Sequence, residues 1–299
     1  AGAIEGGDGM QKLIYINLRG EQLTLHQAPH LLSKVSGLEP ASLEISTLKG
    51  AYQQGDTLTG YRREHRVVDV STPLIAASRE ELYALRQQLA AILSPDRAWD
   101  GTNCAKLYYT NDHGTWWTYA MPDGMEYGKR VQNCDTSMSM SFRCHCPYWF
   151  SVAQHSVAYS YNGEGLSFPD KSFPFSFGRR DYSRVALNGG QVDAPVEVWI
   201  TGKGETPSLL NVTTGKRIKL TSALANGYVL HVNTDPAQLT ATITDTSDAV
   251  SSAFGLLDIG SPLTDFVLTA GQNTLQYEPG GASVKSEITV KWYDAFEGV

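Results

Sequence analysis

Four cysteines, Cys104, Cys134, Cys144 and Cys146, are the residues whose type and spacing come closest to a chemical site. Four thiolates could bind a zinc ion tetrahedrally, and His145 stands between two of them. However, the spacing contains no Cys-x-x-Cys pair, which is the usual signature of a structural zinc site. In a strand, side chains alternate, so His145 would point away from Cys144 and Cys146. We therefore interpret the cysteines as small buried residues and predict no metal and no cofactor, although the four thiols could still converge without His145.

No arrangement of residues in the sequence is typical of an enzyme. The seven histidines are scattered, and none stands in a His-Glu-x-x-His motif or beside a serine in a nucleophile elbow. No motif positions two carboxylates as an acid–base pair. We predict that the protein has no catalytic residues and is not an enzyme, with a cell-wall hydrolase as the least favoured function.

The densest basic run, Arg62-Arg63-Glu64-His65-Arg66, is a candidate protein interface. A guanidinium group binds a carboxylate through two parallel hydrogen bonds, so Arg62, Arg63 and Arg66 could contact a neighbouring subunit. In a free monomer the same run would be the solvated face of a strand.

Three aromatic residues, Trp199, Trp292 and Tyr293, are candidates for contact with a glycan, because an exposed ring can stack on a sugar. Large aromatic residues are highly buried on average, so packing inside a β-sandwich is the favoured alternative.

Length and composition limit the possible functions. A chain of 299 residues is long enough for two domains of about 150 residues each. Its 31 acidic and 24 basic residues give a net charge of −7, which is unsuited to wrapping nucleic acid. The longest apolar stretches are a few residues, whereas a membrane-spanning helix needs about 20. We predict no specific nucleic-acid partner, no membrane span, and a reducing compartment for the cysteines.

The pattern of apolar residues predicts a mainly β protein with one helix. Ser78-Arg79-Glu80-Glu81 forms a capping box, and an apolar stripe from Leu82 to Ile92 follows it at helical spacing. Residues 55–72 predict a long hairpin arm. Alternation places Met138, Met140, Phe142, Cys144 and Cys146 on one face of a strand. A strand is predicted at 13–18, and a second short strand follows it and ends at residue 25. Further strands are predicted at 107–109, 116–119, 196–200, 217–220, 228–232, 239–244 and 284–292.

These elements predict two domains. We interpret residues 1–9, which precede Met10, as a cloning remnant and place the first domain at 10–150. The weakly patterned segment 151–193 is predicted to be a linker region. The closely spaced strands of 194–299 are typical of a β-sandwich or jelly roll.

Two regions of the sequence resemble the distal tail protein (Dit) family of long-tailed, siphovirus-type bacteriophages and prophages. The Asn-x-Thr-Thr-Gly-x-x-Ile core at 211–218 is the most specific part of the resemblance, and its order relative to the other blocks strengthens it. The likeness covers most of residues 10–299, apart from the segment 151–193 and the cysteines. The blocks that carry it are 15–21, 60–66, 79–89, 207–220, 227–234, 263–268 and 271–275.

The resemblance implies a fold and a role. It implies a tail-tube-like β-sandwich with one helix and a protruding hairpin as the ring-forming belt or hub domain, followed by a galectin-like or jelly-roll β-sandwich. It implies a homohexameric ring in the baseplate at the virion tail tip, assembled in the bacterial cytoplasm. The ring would join the tail tube to tail-associated and receptor-binding proteins. The alternative is a carbohydrate-binding module that recognises a bacterial surface glycan during host attachment.

Residues alone favour the same role. A chain with many strands and no recognisable site suits an assembly component, and a closed ring needs a head-to-tail interface between two different patches. A protruding hairpin could supply one of them, because backbone pairing at a strand edge joins chains.

Overall fold

The structure of the chain is a computed structural model, and it describes residues 11–94, 104–162, 183–280 and 285–299. The predicted remnant 1–9 lies outside the described residues. The chain divides into two compact units, residues 1–152 with 296–299, and residues 153–295. Within the described residues, no helix is long and apolar enough to cross a membrane. The predicted fold class, mainly β with one α-helix, is confirmed.

The first unit is built from two antiparallel sheets and a helix. One sheet has the strand order β2-β1-β7-β8, and the other has the order β10-β11-β6-β3 with β9 also paired to β11. The helix is α1 (Arg79–Ile92). The strands are β1 (Lys12–Ile16), β2 (Gln22–Leu25), β3 (Lys34–Ser36), β4 (Leu43–Leu48), β5 (Thr57–Arg63), β6 (Arg66–Ile75), β7 (Lys106–Asn111), β8 (Gly114–Tyr119), β9 (Met121–Glu126), β10 (Arg130–Val131) and β11 (Cys134–Cys144).

Side chains from both sheets and from α1 form the core of the first unit. Alternation along β11 buries Met138, Met140, Phe142 and Cys144, as predicted, whereas Cys146 lies beyond the end of the strand and is only partly buried. Every second residue of β6 also faces inward. The core contains Leu13, Tyr15, Leu23, Leu25, Val68, Val70, Leu74, Leu82, Leu89, Leu107, Tyr109 and Trp149 together with these four. This arrangement is the predicted sandwich with one helix.

The capping box of α1 is present and adds one contact to the prediction. Ser78 Oγ accepts a hydrogen bond from the Glu81 backbone N–H at 3.1 Å. The Glu81 carboxylate accepts one from the Ala77 N–H at 2.7 Å. Two N–H groups at the start of the helix are therefore satisfied by side chains.

The protruding hairpin differs from the predicted arm at 55–72. Strand β5 pairs with β4, whereas β6 pairs with β3 and β11 inside the sandwich. The reason is that Val68, Val70 and Leu74 all lie on one face of β6 and are buried. Pairing with the sandwich places this apolar face in the core, whereas a protruding hairpin would leave it in water. The hairpin therefore consists of 43–63 and stops before β6.

The second unit contains two further antiparallel sheets. One runs β19-β18-β17-β14-β22, with β12 next to β22 and β20 paired to β14, and the other runs β13-β21-β15-β16. Most of the buried residues of both sheets are apolar, including Val198, Leu209, Leu230, Leu275 and Val290. The strands are β12 (Trp149–Asn162), β13 (Ser183–Asn188), β14 (Ala194–Gly202), β15 (Ser208–Asn211), β16 (Lys216–Lys219), β17 (Val229–Asn233), β18 (Thr240–Thr244), β19 (Val250–Ser252), β20 (Val267–Leu268), β21 (Gly271–Glu278) and β22 (Lys285–Phe296). Two 3-10 turns, Phe254–Leu256 and Leu263–Asp265, complete it.

The domain limits differ from those predicted at two places. The segment 151–193 is predicted to be a linker region, but its described parts, 151–162 and 183–193, contain most of β12 and all of β13. Residues 163–182 of that segment lie outside the described residues. At the other end, residues 296–299 return to the first unit.

Candidate assembly surface

Strands β4 and β5 form an arm, defined here as residues 43–63, that pairs with no other strand in the described part of the chain. Every residue of β4 is exposed. In the register of the arm, Ile45 lies opposite Tyr61 and Thr47 lies opposite Leu58. A two-stranded hairpin without a packed face is marginally stable in water. The exposed arm is therefore a candidate surface for contact with another molecule.

The two faces of the arm differ in chemistry. Residues paired across the strands share a face, so the apolar residues Leu43, Ile45, Leu58 and Tyr61, each 42–72% exposed, lie on one face together with Thr47 and Arg63. We call these four residues the apolar face of the arm. A concentration of exposed apolar side chains is typical of a protein interaction site.

The opposite face of the arm is mainly polar. Glu44 and Arg62 form an ion pair across the strands, and Ser46 lies opposite Gly60. Leu48, opposite Thr57 near the tip, is the apolar exception on this face. A surface ion pair contributes little to stability, about 0–1 kcal/mol. This face is suited to water and can serve as a control for the apolar face.

The tip of the arm carries a fully exposed aromatic residue. Tyr52 has a φ of +67°, a left-handed conformation that is uncommon for a residue with a side chain. Tyrosine is among the residue types that contribute most to protein interfaces. The tip therefore extends the candidate interface beyond the strands.

Arg66, one of the three predicted interface residues, is buried instead of exposed. Its side chain is at an inward position of β6, and the residue is only 2% exposed. The guanidinium donates to the carbonyl oxygens of Pro147, at 2.7 and 3.1 Å, and Gly37, at 2.6 Å, and also to those of Glu39 and Glu297. Desolvation lowers the pKa of Arg66. This residue cannot reach a neighbouring subunit, and its prediction is corrected accordingly.

The other two arginines lie on the arm and are already paired within the chain. Arg63 donates to Glu297 Oε1 from Nε at 3.2 Å and from Nη2 at 2.7 Å, and to the Ala41 carbonyl at 2.9 Å. Arg62 is the more exposed of the two and pairs with Glu44. Contact of Arg62 or Arg63 with a neighbouring chain stays a prediction.

The cysteines do not converge on one point. Cys134 lies opposite Ile75 and Cys144 lies opposite Arg66, at the two ends of β11. At about 3.3 Å per residue the two ends of this strand are separated by roughly 33 Å. Within the described residues, no group of three or more His, Cys, Asp or Glu side chains is placed to hold a metal ion. Burial raises the pKa of the Cys144 thiol to about 12, which favours the inert protonated form.

The predicted glycan-contact residues do not form an exposed aromatic surface. Trp292 is 5% exposed, its ring stacks on His155 at 5.8 Å, and its Nε1 donates to the Leu187 carbonyl at 3.2 Å. This burial contradicts the predicted sugar contact of Trp292. Tyr293, next along β22, is partly buried.

Trp199 is contacted from both neighbouring strands. The His231 ring of β17 stacks on the indole with centroids 4.7 Å apart and planes at 17°. Lys291 of β22 places its Nζ 4.5 Å from the indole centroid. Because β17 and β22 flank β14, these two side chains occupy positions that a sugar would need. Sugar stacking on Trp199 would require displacement of one of them.

The apolar face of the arm was missed by reasoning from the sequence. The signal was present in part, because Leu43-Glu44-Ile45-Ser46 alternates apolar and polar residues. The pairing of this segment with 57–63 was not visible, since strand partners are set by tertiary contacts.

Comparisons with known proteins identify the fold. No protein-family profile and no curated protein sequence matches the chain. The solved structure of the Dit protein of phage SPP1, described as a paradigm of the hub adsorption apparatus in phages that infect Gram-positive bacteria, matches with a TM-score of 0.61 at 14% identity, over 94% of this chain and 98% of that one. The baseplate of phage P2 in its activated conformation with Ca matches with a TM-score of 0.53 at 12% identity, over 94% and 97%. The same baseplate with Sr matches with a TM-score of 0.51 at 13% identity, over 95% and 98%.

These likenesses confirm the predicted Dit-like fold over nearly the whole chain. They include both units, since each alignment covers at least 94% of the residues. The chain therefore has the fold that the sequence resemblance implied.

Proposed function

We propose that this protein is a structural subunit of a bacteriophage or prophage tail tip, acting as the hub between the tail tube and the host-adsorption apparatus. The observation that carries the proposal is the length of the match to SPP1 Dit, which covers 94% of this chain and 98% of that protein. Because the match extends over both compact units, it supports the same role for both of them. The proposed role involves no catalysis.

The hub is a closed ring of six copies, located at the virion tail tip and assembled in the bacterial cytoplasm. A ring of identical chains uses a heterologous interface, in which one patch of each chain binds a different patch of the next. The arm supplies one of these patches. Burying a half-exposed Leu, Ile or Tyr side chain contributes about 1 kcal/mol, so the four side chains of the apolar face contribute about 4 kcal/mol at each interface.

The other partners of the ring are the tail tube on one side and tail-associated and receptor-binding proteins on the other. The net charge of −7 supports a channel through which DNA passes, because a basic surplus would retain phosphates. Contact of the second unit with a host glycan is the alternative function, and it is disfavoured by the burial of Trp292 and by the contacts of Trp199.

Sedimentation velocity and negative-stain electron microscopy of the full chain test the proposal. We expect rings near 196 kDa, the mass of six chains of 32.7 kDa. Ile45→Asp, on the apolar face, is expected to abolish the rings, because it places a charge in the interface. Ser46→Asp, the next residue on the opposite face, is the matched control and is expected to leave them intact. A monomer at every concentration up to the solubility limit, or equal effects of the two substitutions, would contradict the proposal.

A further inference from the structure

The root of the arm is the place where its direction is determined. We define the root as residues 37–42, which lead into β4, and residues 63–66, which connect β5 to β6. Beyond the root, every residue of β4 and most residues of β5 are exposed, and the arm pairs with no other strand in the described part of the chain. The contacts at the root therefore decide which way the arm extends.

The returning segment, residues 296–299, contacts both halves of the root. On one side the Val299 N–H donates to the Leu38 carbonyl at 3.1 Å. On the other side the Glu297 carboxylate accepts two hydrogen bonds from Arg63. The segment also passes close to the backbone, since a Cβ on Gly298 would lie 3.0 Å from the Leu38 oxygen. The two halves of the root are thus connected through the returning segment.

Arg66 completes these connections from inside. Its one guanidinium donates to carbonyl oxygens of 37 and 39 in the first half of the root, of Glu297 in the returning segment, and of Pro147. Its charge lies over the Trp149 ring, 5.5 Å from the centroid. The donors of one buried side chain therefore fix three separate stretches of backbone relative to each other.

Apolar packing also contributes at the root, since Leu38 and Val299 pack against the core, but it leaves part of the root open. A cleft of about 260 Å³ lies between the two halves, lined by Gly37, Glu39, Pro40, Glu64 and Arg66 among others. On the side of this cleft, hydrogen bonds between Ser42 and Glu64 and the Arg63–Glu297 ion pair hold the halves in place.

We propose that Arg63, Arg66 and Glu297 are positioning residues that clamp the root and hold the arm in the direction required for binding the next chain. This inference rests on the proposed role of the arm in assembly and adds how the arm is kept ready. An arm held in its bound direction loses less conformational entropy on association, which strengthens binding without a contact of its own.

Charge reversal in the full chain tests the clamp. The variants are Glu297→Arg, Arg63→Glu and the double exchange, which restores the ion pair with its charges inverted. Spin labels are introduced as noncanonical amino acids at Tyr52, on the tip, and at Glu80, in α1. Double electron–electron resonance then measures the distribution of distances between the two labels, which reports the range of arm directions. Each single substitution is expected to broaden this distribution and to weaken ring assembly about fivefold, the equivalent of about 1 kcal/mol. The double exchange is expected to recover most of both, although the hydrogen bond from residue 63 to the Ala41 carbonyl stays lost.

The outcomes separate the clamp from the assembly role. Glu21→Arg, which breaks the exposed Arg19–Glu21 pair in the same unit, is the control and is expected to change neither readout. Unchanged distance distributions in both single variants, or no recovery in the double exchange, would overturn the clamp. If Ile45→Asp abolishes rings while Glu297→Arg does not weaken them, the proposed function stands and the clamp is wrong. If no variant of the arm affects association, the proposed function itself is wrong, while the distance distributions still decide whether the root is clamped.

Discussion

Arg86 of the helix and Asp135 of β11 form a bidentate ion pair, with Nε–Oδ2 at 2.7 Å and Nη2–Oδ1 at 2.5 Å. The carboxylate is completely buried, whereas the arginine side chain retains 20% exposure. The guanidinium also lies over the ring of Tyr127, 4.5 Å from its centroid. The hydrogen bonds to Asp135 raise the pKa of Arg86. This pair connects α1 to the sheet in addition to the apolar contacts of Leu82 and Leu89.

Asp135→Asn is expected to destabilise the first unit by about 2–3 kcal/mol, because it leaves a partly buried guanidinium without its charge partner. Hydrogen exchange of the helix amides 79–92 measures the loss locally. Asp123→Asn, which breaks the exposed Arg143–Asp123 pair, is the matched control and is expected to cost less than about 1 kcal/mol. Equal losses in the two variants would show that the buried pair does not hold the helix.

Local sequence signals predicted the elements of this fold well. The capping residue Ser78 required only neighbouring residues for its recognition. The alternation in β11 likewise identified its buried face. These signals depend on short spacings, so they can be read without knowing the partner of each strand.

The candidate site was harder to predict, because its residues are defined by distant partners. Arg66 alternates in step with Val68 and Val70, which places it on the buried face of β6. Its acceptors, however, come from residues 81 positions away at Pro147 and 231 positions away at Glu297. The inward position of Arg66 was therefore a usable signal that its side chain is buried. The sequence could not show which carbonyl groups accept its hydrogen bonds.

Cys144 is expected to resist alkylation in the folded protein. Burial raises the pKa of its thiol to about 12, and the thiolate is the reactive form. Treatment with iodoacetamide at about pH 8, followed by peptide mass spectrometry, measures the modification of each cysteine. Cys134, which is partly exposed, is the internal comparison and is expected to react faster. Modification of both at the same rate would contradict the buried position of Cys144.

His231 is expected to titrate below its ordinary pKa of 6.5, first because of burial and second because of Lys291. Lys291→Gln removes the second cause, so the pKa of His231 should rise but stay below 6.5. Titration of the ring proton by nuclear magnetic resonance measures both values. The unfolded chain protonates the His231 ring more readily than the folded chain does. The contribution of the neutral ring to the free energy of unfolding is therefore lost as the pH falls through 6.5. An unchanged His231 pKa in the variant would show that Lys291 does not lie against the Trp199–His231 stack.

Arg66→Leu and Arg66→Lys separate the two contributions of the buried guanidinium. Leucine removes every donor and leaves the carbonyl oxygens of Gly37, Glu39, Pro147 and Glu297 without this partner, so we expect a loss of about 3–5 kcal/mol. Lysine keeps the charge and three donors but lacks the planar fork, so it should recover part of this loss. Urea unfolding, followed by hydrogen exchange at 37–42 and 296–299, measures the order wild type, lysine, leucine. Equal stability of the leucine variant and the wild type would mean that apolar packing, and not the guanidinium, holds these backbone segments together.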